Sequence, residues 1–227
     1  MSTATTDAPS TDPMASAIAV FTREGYDATT VDALAEAMQL SRSTFFRRFG
    51  SKDDVVFADH EVLLQRVAAF LDSSTLPPLQ AASAAARLVF EHHVSRRDVS
   101  VARFGLLHEA PALRDRELIT SHRYERLFAD YLRTTLPAVE RSDSDRREFV
   151  SIAFSAALVA VHNAVLREWL FDPSHDFEAS LDARLRSLVR AFSPPRDKRA
   201  EGTVVVTIFD PDADREVVLD SIRAALP

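Results

Sequence analysis

Residues 29–52, TTVDALAEAMQLSRSTFFRRFGSK, decide the fold of this chain, because they have the pattern of two short helices joined by a tight turn. Thr29 or Thr30 can cap the first helix, and Asp32 completes an acidic variant of the capping box. The apolar side chains of this helix recur at i, i+3, i+4 and i+7, as one helical face requires: Val31, Leu34, Ala35 and Met38.

The second helix of the pair is cationic and aromatic. Ser41 is suited to cap it, and Phe45 and Phe49 share its inner face at i and i+4. The outward positions hold Arg42, Ser43, Phe46 and Arg47. Together the two helices predict a helix-turn-helix whose second helix enters the major groove of duplex DNA.

The charge pattern favours the same interpretation. Residues 41–52 contain four cations and no acid, although the whole chain has a formal net charge of −7. A basic segment in an acidic protein is typical of a surface that faces phosphates. The alternative is an ordinary helical hairpin whose arginines face solvent.

The segment of residues 12–56 also resembles the DNA-binding domain of the TetR family of bacterial transcription regulators. The matching residues are Phe21, Gly25, Tyr26, Thr29, Thr30, Val31, Ala35, Leu40, Ser41, Thr44, Phe45, Phe46, Phe49, Ser51 and Lys52. Gln39 replaces the usual glycine of the turn, and a left-handed conformation there would cost about 1 kcal/mol relative to glycine. Phe46 replaces a frequent tyrosine, so its DNA contact would be apolar, with sugar or a thymine methyl group.

The side chains of this region are expected to divide between base contacts and backbone contacts. The residues expected to read base edges are Arg42, Ser43, Thr44 and Arg47. Phe46, Arg48 and Lys52 are expected to hold sugar and phosphate, and Thr29 or Thr30 to add one phosphate contact. Lys52 lies in the first turn of the next helix, where the helix dipole disfavours a cation unless an anion binds there too.

Composition indicates a soluble globular protein. The chain of 227 residues is 46% hydrophobic and 27% charged, and its lack of cysteine excludes disulfides and cysteine zinc sites. The N-terminus lacks a signal-peptide pattern, and the longest apolar run, near residues 153–161, is too short to cross a bilayer. We therefore expect a cytoplasmic protein without a membrane partner.

The order of patterns along the chain predicts four segments. Residues 1–11 are expected to form a disordered tail, 12–56 the helix-turn-helix domain, 57–195 a helical effector-binding and dimerisation domain, and 196–227 a strand-helix extension. A fourth helix is expected from Ser51 to about Ser73. Further helices are predicted at residues 79–94, 98–108, 112–136, 145–170 and 177–192, separated mainly by prolines.

The last two of these helices are the expected dimer interface. The first carries many small side chains on one face, and the second carries leucine and phenylalanine at helical spacing. The TetR resemblance implies a four-helix bundle with the same pair from a second subunit, whereas the alternative is a monomer core. Residues 203–209, TVVVTIF, predict a strand that pairs with its copy in the second subunit.

No pattern of an enzyme or a metal site is present in the sequence. Four glycines are too few for a phosphate-binding loop or a nucleophile elbow, and the seven histidines show no metal-ligand spacing. We expect no catalytic residues, no metal and no cofactor.

A group of polar and aromatic residues among apolar helical faces predicts an effector pocket: His93, Phe104, His108, Tyr131, Phe154, His162 and Trp169, with Tyr124 and Asn163 near them. The alternative is that each is a core residue with a satisfied partner. A small apolar or amphipathic effector is expected. The helices after Leu79 resemble those of mycofactocin-system regulators, which makes acyl-coenzyme A one candidate.

The sequence therefore predicts an all-α protein with an N-terminal helix-turn-helix domain, a C-terminal helical ligand-binding and dimerisation domain, and a strand-helix extension. Its predicted function is that of a homodimeric, ligand-responsive repressor on a palindromic double-stranded DNA operator, and the TetR resemblance implies that the fourth helix is the lever. The alternatives are a DNA-binding activator or architectural protein without an effector, and a helical enzyme with an incidental helix-turn-helix.

Overall fold

The structure, a computed structural model, describes residues 12–137, 143–174 and 177–193. Within these ranges all regular elements are α-helices, which confirms the predicted all-α class. The tail predicted at residues 1–11 and the extension predicted at 196–227 lie outside the described residues.

The first helix, α1 (Pro13–Glu24), begins and ends as its capping residues predict. The Asp12 carboxylate accepts hydrogen bonds from the backbone N–H groups of Met14 and Ala15. Gly25 ends the helix with a φ of 83°, in the region that glycine reaches without a Cβ clash. The local sequence therefore sets both ends of α1.

The helix-turn-helix consists of α2 (Val31–Ala37) and α3 (Arg42–Phe49). Gln39, in the turn between them, has a φ of 56°, so it takes the left-handed conformation that glycine would adopt more easily. The backbone N–H of Leu40 donates to the Ala35 carbonyl at 2.8 Å and closes the turn.

The fourth helix is interrupted, so the prediction of one continuous helix from Ser51 to Ser73 was wrong. A short α4 (Lys52–Val55) is followed by α5 (Ala58–Ser73). Val55, Val56 and Phe57 are consecutive, and all three are buried. Successive side chains on one helix point about 100° apart and cannot all face one core. The break lets each of the three reach the interior.

The remaining helices match the predicted ranges to within one or two residues. They are α6 (Pro78–Ser95), α7 (Arg97–Glu109), α8 (Pro111–Thr135), α9 (Asp143–Phe171) and α10 (Glu178–Phe192). Prolines at the first positions of α6 and α8 fix these helix starts, because proline lacks the N–H that a first turn leaves unpaired.

Two apolar clusters form the core. One joins α1 to α4 with the end of α7 and the start of α8, where Leu106, Leu107 and Leu113 are buried beside Ile18 and Phe21. The other lies among α5, α6, α8, α9 and α10. The core of the helix-turn-helix therefore includes side chains of α7, far beyond residue 56 in sequence.

Helix α9 is the apolar centre of the second cluster. Residues 144–171 of α9 are long and apolar enough to cross a membrane by length and composition, although the sequence run at 153–161 alone is not. In this structure α9 packs against α6, α8 and α10, and it buries Leu158, Val165 and Trp169. A buried core helix meets the same criterion of length and composition.

Candidate DNA-binding surface and ligand cavity

Helix α3 is held in place by its N-terminal cap and by one buried aromatic side chain. The Ser41 hydroxyl accepts a hydrogen bond from the Thr44 backbone N–H at 3.2 Å, and Phe45 is fully buried against the first cluster. Arg42, Ser43 and Arg47 are exposed on the opposite side. The anchor and the cap therefore present an exposed cationic face, as the sequence predicted.

Arg42 is held at the surface by a carboxylate of the preceding helix. One terminal nitrogen of its guanidinium donates to both Asp32 carboxylate oxygens, at 2.7 and 2.8 Å, and the guanidinium lies 5.4 Å from the centre of the exposed Phe46 ring. Both partners of this pair are exposed, so water can replace either contact at small cost. Arg42 can therefore exchange Asp32 for a DNA acceptor.

Arg47 and Arg48 both extend from the last turn of α3. Arg47 donates a long hydrogen bond of 3.5 Å to the Thr44 hydroxyl, and Arg48 stacks 5.1 Å from the centre of the Phe49 ring. Both guanidinium groups are exposed. The stacked and exposed guanidinium of Arg48 is suited to a phosphate contact. Arg47 lies on the outer face of α3.

Lys52 is neither freely solvated nor buried. Its ammonium group donates to the Tyr26 carbonyl at 3.0 Å and lies 4.3 Å from the centre of the Tyr26 ring. Burial and the hydrogen bond from the Tyr26 hydroxyl to Asp53 raise the pKa of that hydroxyl. Since an ammonium has three N–H donors, the bond to Tyr26 positions Lys52 and leaves donors for an anion.

The two threonine candidates differ in this structure. Thr29 is buried and its hydroxyl donates to the Gly25 carbonyl at 2.7 Å, so it closes the loop after α1. Thr30 is exposed and caps α2 by accepting from the Ala33 N–H at 3.2 Å. Of the two alternatives, the geometry favours Thr30 for a phosphate contact.

A cavity of about 80 Å³ lies among α5 to α9. Three of the seven predicted pocket residues line it, namely His93, Phe104 and His162, and so do Tyr124 and Asn163. The rest of its wall combines apolar and aromatic side chains with polar and charged ones, among them His60, Arg103, Glu117 and Arg167. Fewer than half of the predicted pocket residues therefore share this cavity.

The other four predicted pocket residues lie elsewhere. His108 is exposed, and its Nδ1 donates to the Phe104 carbonyl at 2.8 Å. Tyr131 lines a separate groove beside Leu71. Phe154 and Trp169 are core residues, with ring partners Phe192 and Phe90. Helical spacing predicted which face of each helix is buried. Only the packing of the helices decides where a cavity remains between them.

The charged residue that sequence reasoning missed is Arg103. It is buried in α7, lines the cavity, and donates to the Asp59 carboxylate and to Nδ1 of His93, both at 3.0 Å. It also lies 3.5 Å from the Val56 carbonyl and 3.3 Å from the Met14 sulfur. An arginine within the apolar run VARFGLL is the signal that could have revealed it.

Asp59, at the start of α5, joins this arginine to the N-terminal helices. It also accepts from Nε2 of His92 at 3.0 Å and from Arg96 at 3.4 Å, and Arg96 pairs with Asp12, the cap of α1. Burial alone would raise the pKa of Asp59, but Arg103 and His92 outweigh it and hold that pKa well below its ordinary value. Ion pairs therefore link the cavity wall to the N-terminal end of α1.

The histidines of the cavity are neutral. Burial lowers the pKa of His60 to about 3, in spite of the opposing effect of Asp59. Burial also lowers the pKa of His93 well below its ordinary value, and that of His162 less far. Neutral imidazoles beside a compensated Arg103–Asp59 pair leave the deep part of the cavity without a net charge, so a charged group would be costly to bury there.

Comparisons with known proteins agree with this geometry. Residues 14–58 match the family described as bacterial regulatory proteins, tetR family, and residues 76–193 match the MftR C-terminal domain. The HTH-type transcriptional regulator TcmR of Streptomyces glaucescens is 30% identical over 171 residues, which are 72% of this chain and 74% of TcmR.

Solved structures share the fold. FadR of Thermus thermophilus, a repressor solved with lauroyl-CoA, is 21% identical and covers 85% of this chain and 98% of its own, with a TM-score of 0.51. FadR of Bacillus halodurans, a fatty acid degradation regulator, is 14% identical and covers 82% and 97%, with a TM-score of 0.52. At these identities the likeness concerns the fold alone.

Proposed function

The chain belongs to the TetR family of bacterial transcription regulators, and on that premise we propose that it is a cytoplasmic, homodimeric repressor controlled by a small molecule. It is a DNA-binding transcriptional regulator and not an enzyme. The observation that carries the proposal is the exposed cationic face of α3, which the buried Phe45 fixes on a body that contains a polar-lined cavity.

The DNA contacts follow from the exposure of α3. Bases are read by the outward side chains Arg42, Ser43, Thr44 and Arg47, and sugar and phosphate are held by Phe46, Arg48, Lys52 and Thr30. An arginine that binds guanine through two hydrogen bonds contributes about 1–3 kcal/mol of discrimination. Arg42 makes this contact after it leaves Asp32.

The homodimer is supported by an uncovered apolar stripe on α9. Phe149 and Ile152 are exposed there, and the exposed Ala156 and Ala160 continue the stripe along the helix. Small side chains let a second helix approach closely. A two-fold dimer reads a palindrome when its two recognition helices lie about 34–36 Å apart, in successive major grooves.

The ligand switch would require the helices around the cavity to move. Its volume of about 80 Å³ is smaller than the roughly 300–1,000 Å³ of typical ligand pockets, so an effector must move the surrounding helices apart. Helix α7 forms part of the wall and packs on α1, and Arg103 joins it to Asp59 and to the α4–α5 break. The lever is therefore α7 together with that break, in place of one long fourth helix.

The effector is a small apolar or amphipathic molecule, with acyl-coenzyme A as one candidate. The cavity wall supports an apolar body, and lauroyl-CoA is bound by the T. thermophilus FadR. The same small volume favours a second function, a DNA-binding activator or architectural protein without an effector. A ligand changes DNA affinity only by its difference in affinity between the two conformations.

Selection of bound duplexes from a random pool, followed by gel shift at two salt concentrations, tests the proposed function. We expect a palindromic operator bound by a dimer, with affinity that falls steeply as salt rises. A monomeric protein that binds no duplex at low ionic strength would refute it. A ligand that binds tightly without weakening operator binding would refute the switch and favour the second function.

A further inference from the structure

The cavity contains a buried nitrogen for which the described part of the chain offers no hydrogen-bond partner. His162, in α9, is 7% exposed and lines the cavity. Its Nε2 has no hydrogen-bond partner among the described residues. The hydroxyl of Ser155 is likewise unpaired among them, but Ser155 is not part of the cavity wall. A buried polar atom without a partner is rare and calls for a ligand or a water molecule.

The neighbours of His162 determine the chemistry of that nitrogen. The Asn163 amide nitrogen donates to the Ser121 hydroxyl at 3.1 Å, which turns the amide oxygen toward the imidazole. That oxygen lies 3.1 Å from Nδ1 of His162, and since an amide oxygen only accepts, Nδ1 carries the ring proton. Burial lowers the pKa of His162, so the ring is neutral and Nε2 is left as an acceptor.

We propose that the effector carries a hydroxyl or N–H group that donates a hydrogen bond to Nε2 of His162, on a body that is apolar where it contacts the aromatic wall. This inference rests on the proposed function, because it assigns the ligand of the same cavity. Phe57, Phe104 and Phe128 line the wall, so the rest of the ligand contacts apolar and aromatic surface. A saturated acyl chain offers only C–H groups at this point and would leave Nε2 unpaired.

The solvent side of the cavity is polar and would contact the other end of such a ligand. Glu117 and Arg167 line it 4.0 Å apart and are both partly exposed, so they form its solvent side. His162 is instead buried, and its ring lies 6.1 Å from that of Phe90 and 6.3 Å from that of His93. The donor is therefore the deep end of the ligand.

A pair of probes with the same shape tests the inference on the full-length protein. 2-Naphthol and 2-methylnaphthalene differ only in a hydroxyl and a methyl group. We expect 2-naphthol to bind about tenfold more tightly, as one neutral hydrogen bond to a buried acceptor implies. The dissociation constants are measured by fluorescence or calorimetry.

Two substitutions give the matched controls. His162→Leu removes the acceptor and should bring the two dissociation constants together, whereas His162→Gln retains an acceptor oxygen and should keep part of the preference. If His162→Leu does not fold, nitrogen NMR of the wild-type histidines decides the same point. The Nε2 resonance of His162 should shift with 2-naphthol and stay unchanged with 2-methylnaphthalene.

Equal affinities in the wild-type protein, a preference that survives in His162→Leu, or binding of neither probe would each overturn the inference. A crystal structure in which only an ordered water donates to Nε2 beside bound 2-naphthol would overturn it as well. Operator binding, measured separately by gel shift, tests the proposed function. Operator binding without the hydroxyl preference would therefore contradict only the ligand assignment.

Discussion

Two arginine–aspartate pairs, Arg42–Asp32 and Arg103–Asp59, use the same chemistry for opposite purposes. The side chains of the first pair are 60% and 66% exposed, and those of the second are 7% and 8% exposed. An exposed pair contributes about 0–1 kcal/mol, while removal of one partner of a buried pair costs about 3–5 kcal/mol. The surface pair can therefore exchange partners, whereas the buried pair fixes the helices around it.

The largest expected effect is the loss of the buried carboxylate. Asp59→Asn leaves Arg103 charged and without a carboxylate, so we expect the free energy of unfolding to fall by about 3–5 kcal/mol. Urea denaturation at one fixed protein concentration measures it, because dimer stability depends on concentration. The matched control, Asp32→Asn, should change it by less than about 1 kcal/mol. Equal losses would show that burial does not distinguish the two pairs.

The buried histidines should make stability depend on pH. The pKa of His60 is about 3 in the folded protein, against an ordinary value near 6.5. Between these two pH values the imidazole is therefore protonated in the unfolded chain and neutral in the folded protein. Stability is therefore complete above about pH 6.5 and declines as pH falls toward about 3, by up to about 1.4 kcal/mol per pH unit for this residue.

Unfolding free energies measured at pH 7 and pH 5.5 test this dependence. His60→Gln should make the decline shallower, because it removes one of the protons that only the unfolded chain takes up. His122→Gln, at an exposed position of α8, is the matched control and should leave the slope as it is. A slope that is the same in all three proteins would rule out His60 as its source.

The exposed cations should have two different roles in DNA binding, base recognition for Arg47 and phosphate contact for Lys52. Arg47→Ala should weaken binding to the preferred operator by about 1–3 kcal/mol and relax the choice of base, because a base contact discriminates. Lys52→Ala should weaken binding to all duplexes alike and reduce the salt slope by about 1. Gel shifts on matched and mismatched duplexes measure both effects.

The control for these two variants is Arg126→Ala, which removes an exposed arginine of α8. It should leave both the operator preference and the salt slope close to those of the wild-type protein. Identical behaviour of Arg47→Ala and Lys52→Ala would contradict the division between bases and phosphates.

The smallest expected effect concerns the turn between α2 and α3. Gln39→Gly should stabilise the protein by about 1 kcal/mol, since a left-handed φ of 56° costs a residue with a Cβ more than it costs glycine. Thermal melting of the full-length protein measures the gain, and Gln39→Ala, which keeps a Cβ, should show none. A melting temperature lowered by glycine would indicate that the Gln39 side chain itself contributes a contact.

The sequence predicted the helices well wherever a local signal marks their ends. Asp12, Ser41 and Gly25 cap helices as expected, and prolines set the starts of α6 and α8. The sequence failed at residues 55–57, where three consecutive buried residues interrupt the predicted fourth helix. Helical periodicity there was outweighed by burial, which depends on the other helices around the site.

The sequence predicted the exposed face of α3 better than it predicted the lining of the cavity. The outward face of α3 follows from helical spacing alone, because Phe45 has only one way to reach the core. For the cavity, four of the seven predicted residues proved to lie elsewhere and Arg103 was missed. A sequence shows which face of a helix is apolar, but it does not show where two such faces leave a gap.

What the sequence by itself determined is the all-α class and the exposed cationic face of α3, because capping, periodicity and net charge act over a few neighbouring residues. The tertiary structure alone decided that Asp59 and Arg103 meet 3.0 Å apart and that Nε2 of His162 has no hydrogen-bond partner within the described ranges. These features join residues distant in the chain, and their energies depend on burial, which exists only once the helices have packed.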